Sequence, residues 1–334
     1  MSDARAAVAA PLDLARFDLA VGHATDESGA TGCTVIRGVR GAHRAAHAVI
    51  GRATGSRELA LLEPGHLVER VDAILLSGGS AYGLDAAAGV MRWMEARGRG
   101  FPVGGGVVPI VPAAVLFDLG PLGRFDARPT PAMAEAACES ATSTGIADGA
   151  VGAGAGLTVG KVLGKAGAMK GGFGLATREA VGCAAVAMVA VNAFGDVRDA
   201  QGRIIAGARR PDGTFADTER VLAAGGPERA FGAASTADSA AAPNTTLAVV
   251  AVDASFSKVE LQQLARAATA AFHRRLAPAG SSFDGDIVFA LSPLEGPSAP
   301  LMQAERLVVD ALEAAIERAV RVARGRDGVP GLAD

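Results

Sequence analysis

The chain has 334 residues, 50% of them hydrophobic, enough to build one large domain or two intimate ones. Its 32 Lys and Arg oppose 35 Asp and Glu for a net charge of -3. That balance gives no electrostatic reason for a nucleic-acid or anionic-membrane partner, and a small or peptide-like substrate fits better. No run approaches the ~20 uninterrupted apolar residues needed to span a bilayer. The first twenty residues mix acidic with apolar side chains, unlike a signal peptide, so the expectation is a cytoplasmic protein.

Short apolar runs predict strands at residues 17–21, 33–36, 73–76, 107–111, 183–191 and 246–252. Several barely alternate and are therefore expected to be buried on both faces. Residues 85–97 carry apolar side chains at helical spacing. The stretch 257–276 opens with Ser257 and Glu260, the spacing of a capping box, and ends on His273, Arg274 and Arg275, where cations suit the helix dipole. Residues 301–323 predict a long final helix. Gly is abundant at 44 residues and aromatics are only 4%, which favours closely packed layers of sheets and helices. Cys33, Cys138 and Cys183 lie too far apart in sequence for a metal or redox spacing and read as buried hydrophobes. His23 and His273 have no accompanying nucleophile-elbow serine and read as structural.

Residues 211–243 are small, polar and weakly periodic, which predicts an exposed, mobile connection. It leads directly into NTTLAVVAVDA from Asn244, a buried strand. A threonine at such a junction suits self-cleavage. Its hydroxyl attacks the preceding carbonyl, and the freed α-amine, with an ordinary pKa of about 7.7 to 8.0, then serves as base for its own hydroxyl. The dipeptide alone is a common strand or turn opener, so the surrounding sequence must single it out.

That surrounding sequence does so. ATGCTVIRG from Ala30, AILLSGGSAYGLDAAAGV from Ala73, VPAAVLFDLG from Val111, GAGAGLTVGKVLG from Gly152, AVAMVAVNAFGDV from Ala185 and the stretch from Asn244 through FDGDIVFAL occur in the order of one family. The chain resembles the L-aminopeptidase/D-esterases, β-peptidyl aminopeptidases and nylon-oligomer hydrolases, closest to the branch that cleaves at Asn-Thr and uses threonine. The resemblance implies an α/β fold, an αββα sandwich of two stacked sheets flanked by helices like the N-terminal nucleophile hydrolases. It also implies one domain cut into a large chain, 1–244, and a small chain, 245–334, that stay associated.

Carried over residue by residue, the resemblance makes Thr245 the nucleophile and Asn244-Thr245 the cleavage site. Lys161 becomes the charge beside the nucleophile, and Asn192 the amide that donates to the oxyanion. Asp284 and Asp286 become the acidic pair that orients the threonine amine and hydroxyl. Read singly, Lys161 is a surface lysine, Asn192 a turn former and Asp284-Gly285-Asp286 a tight turn. The glycine-rich turn with Gly78, Gly79 and Tyr82 is assigned to the substrate pocket, and a purely structural turn is the alternative. Phe117 stands where several members carry a tyrosine, so a hydroxyl contact is lost there. The serine branch also has Ser and Glu at the positions of Asp284 and Asp286.

No metal or organic cofactor is implied, and the expected partner is a small peptide or amide. The resemblance further implies a homo-oligomer, commonly a tetramer of paired chains. Three other readings compete. AGLTVGK from Ala155 approximates a phosphate-binding loop, but Ala155 replaces its first glycine and Val162 its hydroxyl residue. Ornithine acetyltransferases also process at a threonine and pass an acyl group to an amine. A noncatalytic protein of the same fold would keep the chain in one piece.

Overall fold

The structure is a computed structural model and describes residues 12–226 and 244–334. In chain order it runs β1 (Leu19–Asp26), β2 (Thr31–Gly38), β3 (His43–Val49), β4 (Ser56–Arg57), β5 (Arg70–Val71), β6 (Ala73–Ser77) and α1 (Ala87–Glu95). A hairpin of β7 (Phe101–Val103) and β8 (Gly106–Val108) precedes β9 (Ala113–Val115) and α2 (Pro131–Glu139). The short pair β10 (Thr158–Val159) and β11 (Met169–Lys170) leads into the long β12 (Gly172–Ala180) and β13 (Cys183–Val191), followed by β14 (Asp196–Arg198), β15 (Ile204–Ala206) and α3 (Thr218–Ala223). The last segment holds β16 (Leu247–Val252), α4 (Lys258–Arg275), β17 (Leu276–Ala277), β18 (Ile287–Pro293) and α5 (Leu301–Arg321).

Two sheets carry the architecture, one ordered β1-β2-β6-β9-β4 and the other β12-β13-β16-β18-β3-β5. Side chains alternate across each strand, and here both faces are apolar. Ile36, Ile74 and Leu76 of the first sheet meet Val186, Met188, Leu247, Val249 and Phe289 of the second. The opposite face of the first sheet, with Val35 and Leu75, packs on Val90 and Met94 of α1 and Ala134 and Cys138 of α2. The opposite face of the second, with Ala187, Val189 and Val250, packs on Leu264 and Phe272 of α4 and Leu312 and Ile316 of α5. This is the αββα sandwich, and it explains why β13 and β16 read as continuous apolar runs: all their residues are buried.

Local chemistry shifts several predicted boundaries. Asp18 takes a left-handed turn at φ 55°, so the first strand starts at Leu19. The predicted strand 107–111 is divided, because Pro109 and Pro112 have no N–H to give a ladder, and β8 ends before them while β9 begins after. Residues 80–86 form a 3-10 turn before α1 starts at Ala87. The capping box at Ser257 and Glu260 is formed as predicted. Within the predicted mobile connection, 218–223 is helical and capped by the Asp217 side chain, while 227–243 lies outside the described residues. All three cysteines are free and buried. No helix among the described residues is long and apolar enough to cross a membrane.

Candidate active site

Strand register builds the site. β13 runs antiparallel to β16 with Ala190 opposite Leu247, which sets Asn192, just past the end of β13, beside Thr245, just before β16. β18 runs parallel to β16 with Leu247 opposite Ile287, and the same offset continues as an Asn244–Asp284 bridge. Thr245 therefore lies between Asn192 on one side and Gly285 on the other, with Asp284 and Asp286 flanking it. Residues far apart in sequence meet because the central strand shares both neighbours.

At the junction the Thr245 hydroxyl donates to the Asn244 carbonyl oxygen at 2.7 Å, and the Gly285 N–H donates to the same oxygen at 2.9 Å. The Thr245 N–H donates to the Asn192 carbonyl at 3.2 Å. A Cβ at position 285 would lie 2.8 Å from Thr245 Oγ1 and 2.6 Å from the Ala53 carbonyl oxygen, so only glycine lets the acidic turn approach this closely. Thr245 is 4% exposed and Asn244 0%. Among the described residues neither polar side-chain atom of Asn244 has a hydrogen-bond partner.

Lys161 is 4% exposed, which removes the reading of it as a surface lysine. Its Nζ donates to Asn192 Oδ1 at 2.7 Å and to the Asn192 carbonyl at 3.2 Å, the carbonyl that also accepts Thr245 N–H. Asn192 Oδ1 accepts a second bond from Thr158 N–H at 3.2 Å, and Asn192 Nδ2 donates to the Phe117 carbonyl at 2.9 Å. The Asn192 amide thus points one N–H at Phe117, while the Asn244 carbonyl takes its N–H from Gly285. Asp286 Oδ1 accepts from Thr246 N–H at 2.6 Å and Oδ2 from Gly280 N–H at 3.3 Å. Asp284 Oδ2 accepts from Ser281 N–H at 2.7 Å. Burial, and then repulsion from Asp284, push the Asp286 carboxyl well above the ordinary carboxylate range, against the Thr246 and Gly280 N–H groups and the Lys161 charge.

The model of peptidase family S58 matches residues 17–332. This chain belongs to that family. An uncharacterized aminopeptidase of Mycobacterium leprae is 43% identical over 251 residues, which is 72% of this chain and 65% of the relative. This chain thus spans just under two thirds of that relative's length. A 6-aminohexanoate-oligomer endohydrolase of an Agromyces species is 30% identical over 317 residues, covering 90% of this chain and 81% of the relative. The solved L-aminopeptidase D-Ala-esterase/amidase of Ochrobactrum anthropi, described as a variant of the Ntn hydrolase fold, aligns at a TM-score of 0.67 and 20% identity, over 92% of this chain and 85% of its own. A Burkholderia β-aminopeptidase aligns at 0.67 and 18%, over 94% and 88%. At those identities the two structures share this S58 chain's fold.

Around the S58 core the remaining expected residues separate. Gly78 lies against Asp118, and Gly79 N–H donates to Asp118 Oδ1 at 2.6 Å. Phe117 joins the site through its carbonyl, whereas Tyr82 is half-exposed on the surface beside Phe125, with the Arg128 guanidinium over its ring at 3.5 Å. The loop resembling a phosphate binder is buried from Ala155 to Lys161, with its lysine engaged by Asn192. Asp253, just past the end of β16, receives Arg16 Nε at 2.6 Å and Ala184 N–H at 2.7 Å. His23 bonds Thr34 and the Ala147 carbonyl, and burial pushes it down to about 4. Sequence reasoning missed the Gly285 N–H, Thr158 and Asp118. The first stood in plain sight between two aspartates, and the last followed Phe117 in a segment already singled out.

Proposed function

We propose that this chain cuts itself between Asn244 and Thr245, and that the freed Thr245 hydrolyses amide bonds. The substrates we assign are N-terminal residues of peptides, β-peptides, amino-acid amides or oligomers of ω-amino acids. One observation carries the reading: the Thr245 hydroxyl and the Gly285 N–H converge on the carbonyl oxygen of the bond to be broken.

In self-cleavage Thr245 Oγ attacks the Asn244 carbonyl carbon. Negative charge develops on the carbonyl oxygen, where the Gly285 N–H donates. A carboxylate of the buried pair, Asp284 or Asp286, is the local acceptor for the hydroxyl proton. The Thr245 nitrogen leaves protonated, an ester joins Asn244 to Thr245 Oγ, and water hydrolyses it to a carboxylate and a free hydroxyl. The new α-amine then serves as base for its own hydroxyl, kept unprotonated by the nearby Lys161 charge. A substrate carbonyl replaces that of Asn244, its oxyanion takes the second Asn192 N–H, the amine leaves, and water releases the acyl group from Thr245. The family membership and the names of the relatives support amide chemistry. A cytoplasmic location and a homo-oligomer of processed pairs are part of the same reading.

The test is turnover of a panel of α- and β-aminoacyl p-nitroanilides and linear 6-aminohexanoate oligomers. Amine release by the wild type, falling by at least about 10⁴-fold in Thr245→Ala, is the expected result. Equal rates in the two proteins would remove Thr245 from the chemistry. Acyl transfer to an added amine that outruns hydrolysis would reassign the enzyme to the acyltransferases.

A further inference from the structure

Asp118 is buried at 1% exposure just past the end of β9, and glycines surround it. A Cβ at Gly78 would collide with its Oδ2, one at Gly156 would lie 3.0 Å from its own Cβ, and one at Gly123 would collide with its carbonyl. Its two carboxylate oxygens are divided between two elements. Oδ2 accepts the Thr31 hydroxyl at 2.6 Å, at the start of β2, and Oδ1 accepts Gly79 N–H at 2.6 Å, in the turn after β6. The backbone beside it is tied to the same turn, since Leu116 N–H donates to the Ser77 carbonyl at 2.8 Å and Ser80 N–H to the Leu116 carbonyl at 2.9 Å. One residue before Asp118, the Phe117 carbonyl accepts Asn192 Nδ2 at 2.9 Å.

We propose that Asp118 is a positioning residue of this site: its carboxylate clamps the 78–79 turn to the start of β2 and so fixes the Phe117 carbonyl that sets the Asn192 side-chain amide. Lys161 Nζ bonds both Asn192 Oδ1 and the Asn192 main-chain carbonyl, and that same carbonyl accepts Thr245 N–H, so Asn192 and Lys161 together carry a shift of the Phe117 carbonyl to the nucleophile. Short bonds to a carboxylate are stronger than neutral ones, and a loop held by two of them is stiffer than its sequence alone makes it. The charges around the clamp fit the role. Burial pushes Asp118 up to about 6 and Lys170 down to about 7, and the two favour each other's ionised forms. Lys170 Nζ is itself anchored on the Gly154 and Gly171 carbonyls at 2.9 Å, with Arg326 and Glu27 the next charges beyond it.

The effect on turnover rests on Thr245 as nucleophile, whereas the effect on Asn192 does not. The experiment therefore reads both. In the uncut Thr245→Ala chain, the Asn192 side-chain amide resonance, assigned by its loss in Asn192→Ala, should be protected from exchange with Asp118 present. It should keep that protection in Asp118→Asn, whose Oδ1 still accepts Gly79 N–H and whose Nδ2 donates to the Thr31 hydroxyl. In Asp118→Ala it should exchange faster by roughly tenfold or more, since the clamp is gone. In the processed enzyme, Asp118→Ala should lower kcat by roughly ten- to a hundredfold, the scale of a misplaced catalytic group. KM should stay within about threefold, and Asp118→Asn should restore most of kcat. If Asp118→Ala does not fold, Thr31→Val removes one arm of the clamp and should move both readouts in the same direction. Unchanged Asn192 exchange in a folded clamp variant would overturn the proposal whatever the activity. Altered exchange in an inactive wild type would fault the proposed function instead.

Discussion

Asp286 is fully enclosed, faces Asp284 across Gly285, and accepts the Thr246 and Gly280 N–H groups. Because its folded pKa is raised above the unfolded value, its contribution to stability is present below about pH 4 and is lost as pH rises through the folded value. Asp286→Asn removes that ionisation while keeping an acceptor for Thr246. Comparing both proteins in the uncut Thr245→Ala background, the Asn variant should gain stability relative to Asp286 as pH rises from 4 to 9. The gain should be on the order of 1 to 3 kcal/mol at the alkaline end, read as the pH dependence of the urea midpoint. In the Thr245 background the same substitution should abolish or strongly slow self-cleavage. A constant stability difference across pH would mean that Asp286 keeps an ordinary pKa.

At the scale of elements, α4 shows what sequence conveys well. Ser257 and Glu260 form reciprocal cap bonds, with Ser257 N–H donating to Glu260 Oε2 at 2.8 Å and Glu260 N–H donating to Ser257 Oγ at 3.3 Å. Ser257→Ala should destabilise the protein by about 1 kcal/mol without changing the processed products, measured by denaturant titration and mass. A loss of processing in a folded Ser257→Ala chain would contradict the assignment of that cap to stability alone. The cap was legible because its residues are local. So were the paired helices and the two-faced burial of β13 and β16, since a continuous apolar run needs cover on both sides. β3 was not legible, because His43, Arg44 and His47 break up the apolar run in HRAAHAV, nor was β12, which opens on glycines. α2 left a readable trace, Thr130 capping a helix whose first residue is Pro131. The nearness of Thr245, Asn192 and Gly285 depends on which strands pair and in what register. Local pattern does not contain that, and only the resemblance to a known family brought Thr245, Lys161, Asn192, Asp284 and Asp286 together beforehand. The Gly285 donor to the Asn244 carbonyl escaped because it is backbone, and backbone groups leave no mark on side-chain motifs.

Over the whole molecule, the proposed cut falls between two segments that are interleaved. β16 follows the junction yet lies in the middle of its sheet, between β13 and β18, and β18 pairs in turn with β3. α4 and α5 cover the same sheet, with Phe272 and Ile316 in the shared core. Breaking one peptide bond removes none of these ladders, so two chains should remain one particle until denatured.

Intact-mass and N-terminal analysis of the purified protein, run denatured and native beside a Thr245→Ala variant, tests the central claim most directly. The account predicts two polypeptides under denaturing conditions, the smaller beginning at Thr245, held in one native particle, and a single full-length chain in the variant. A folded wild type that stays in one piece, or a cut that persists in Thr245→Ala, would contradict it.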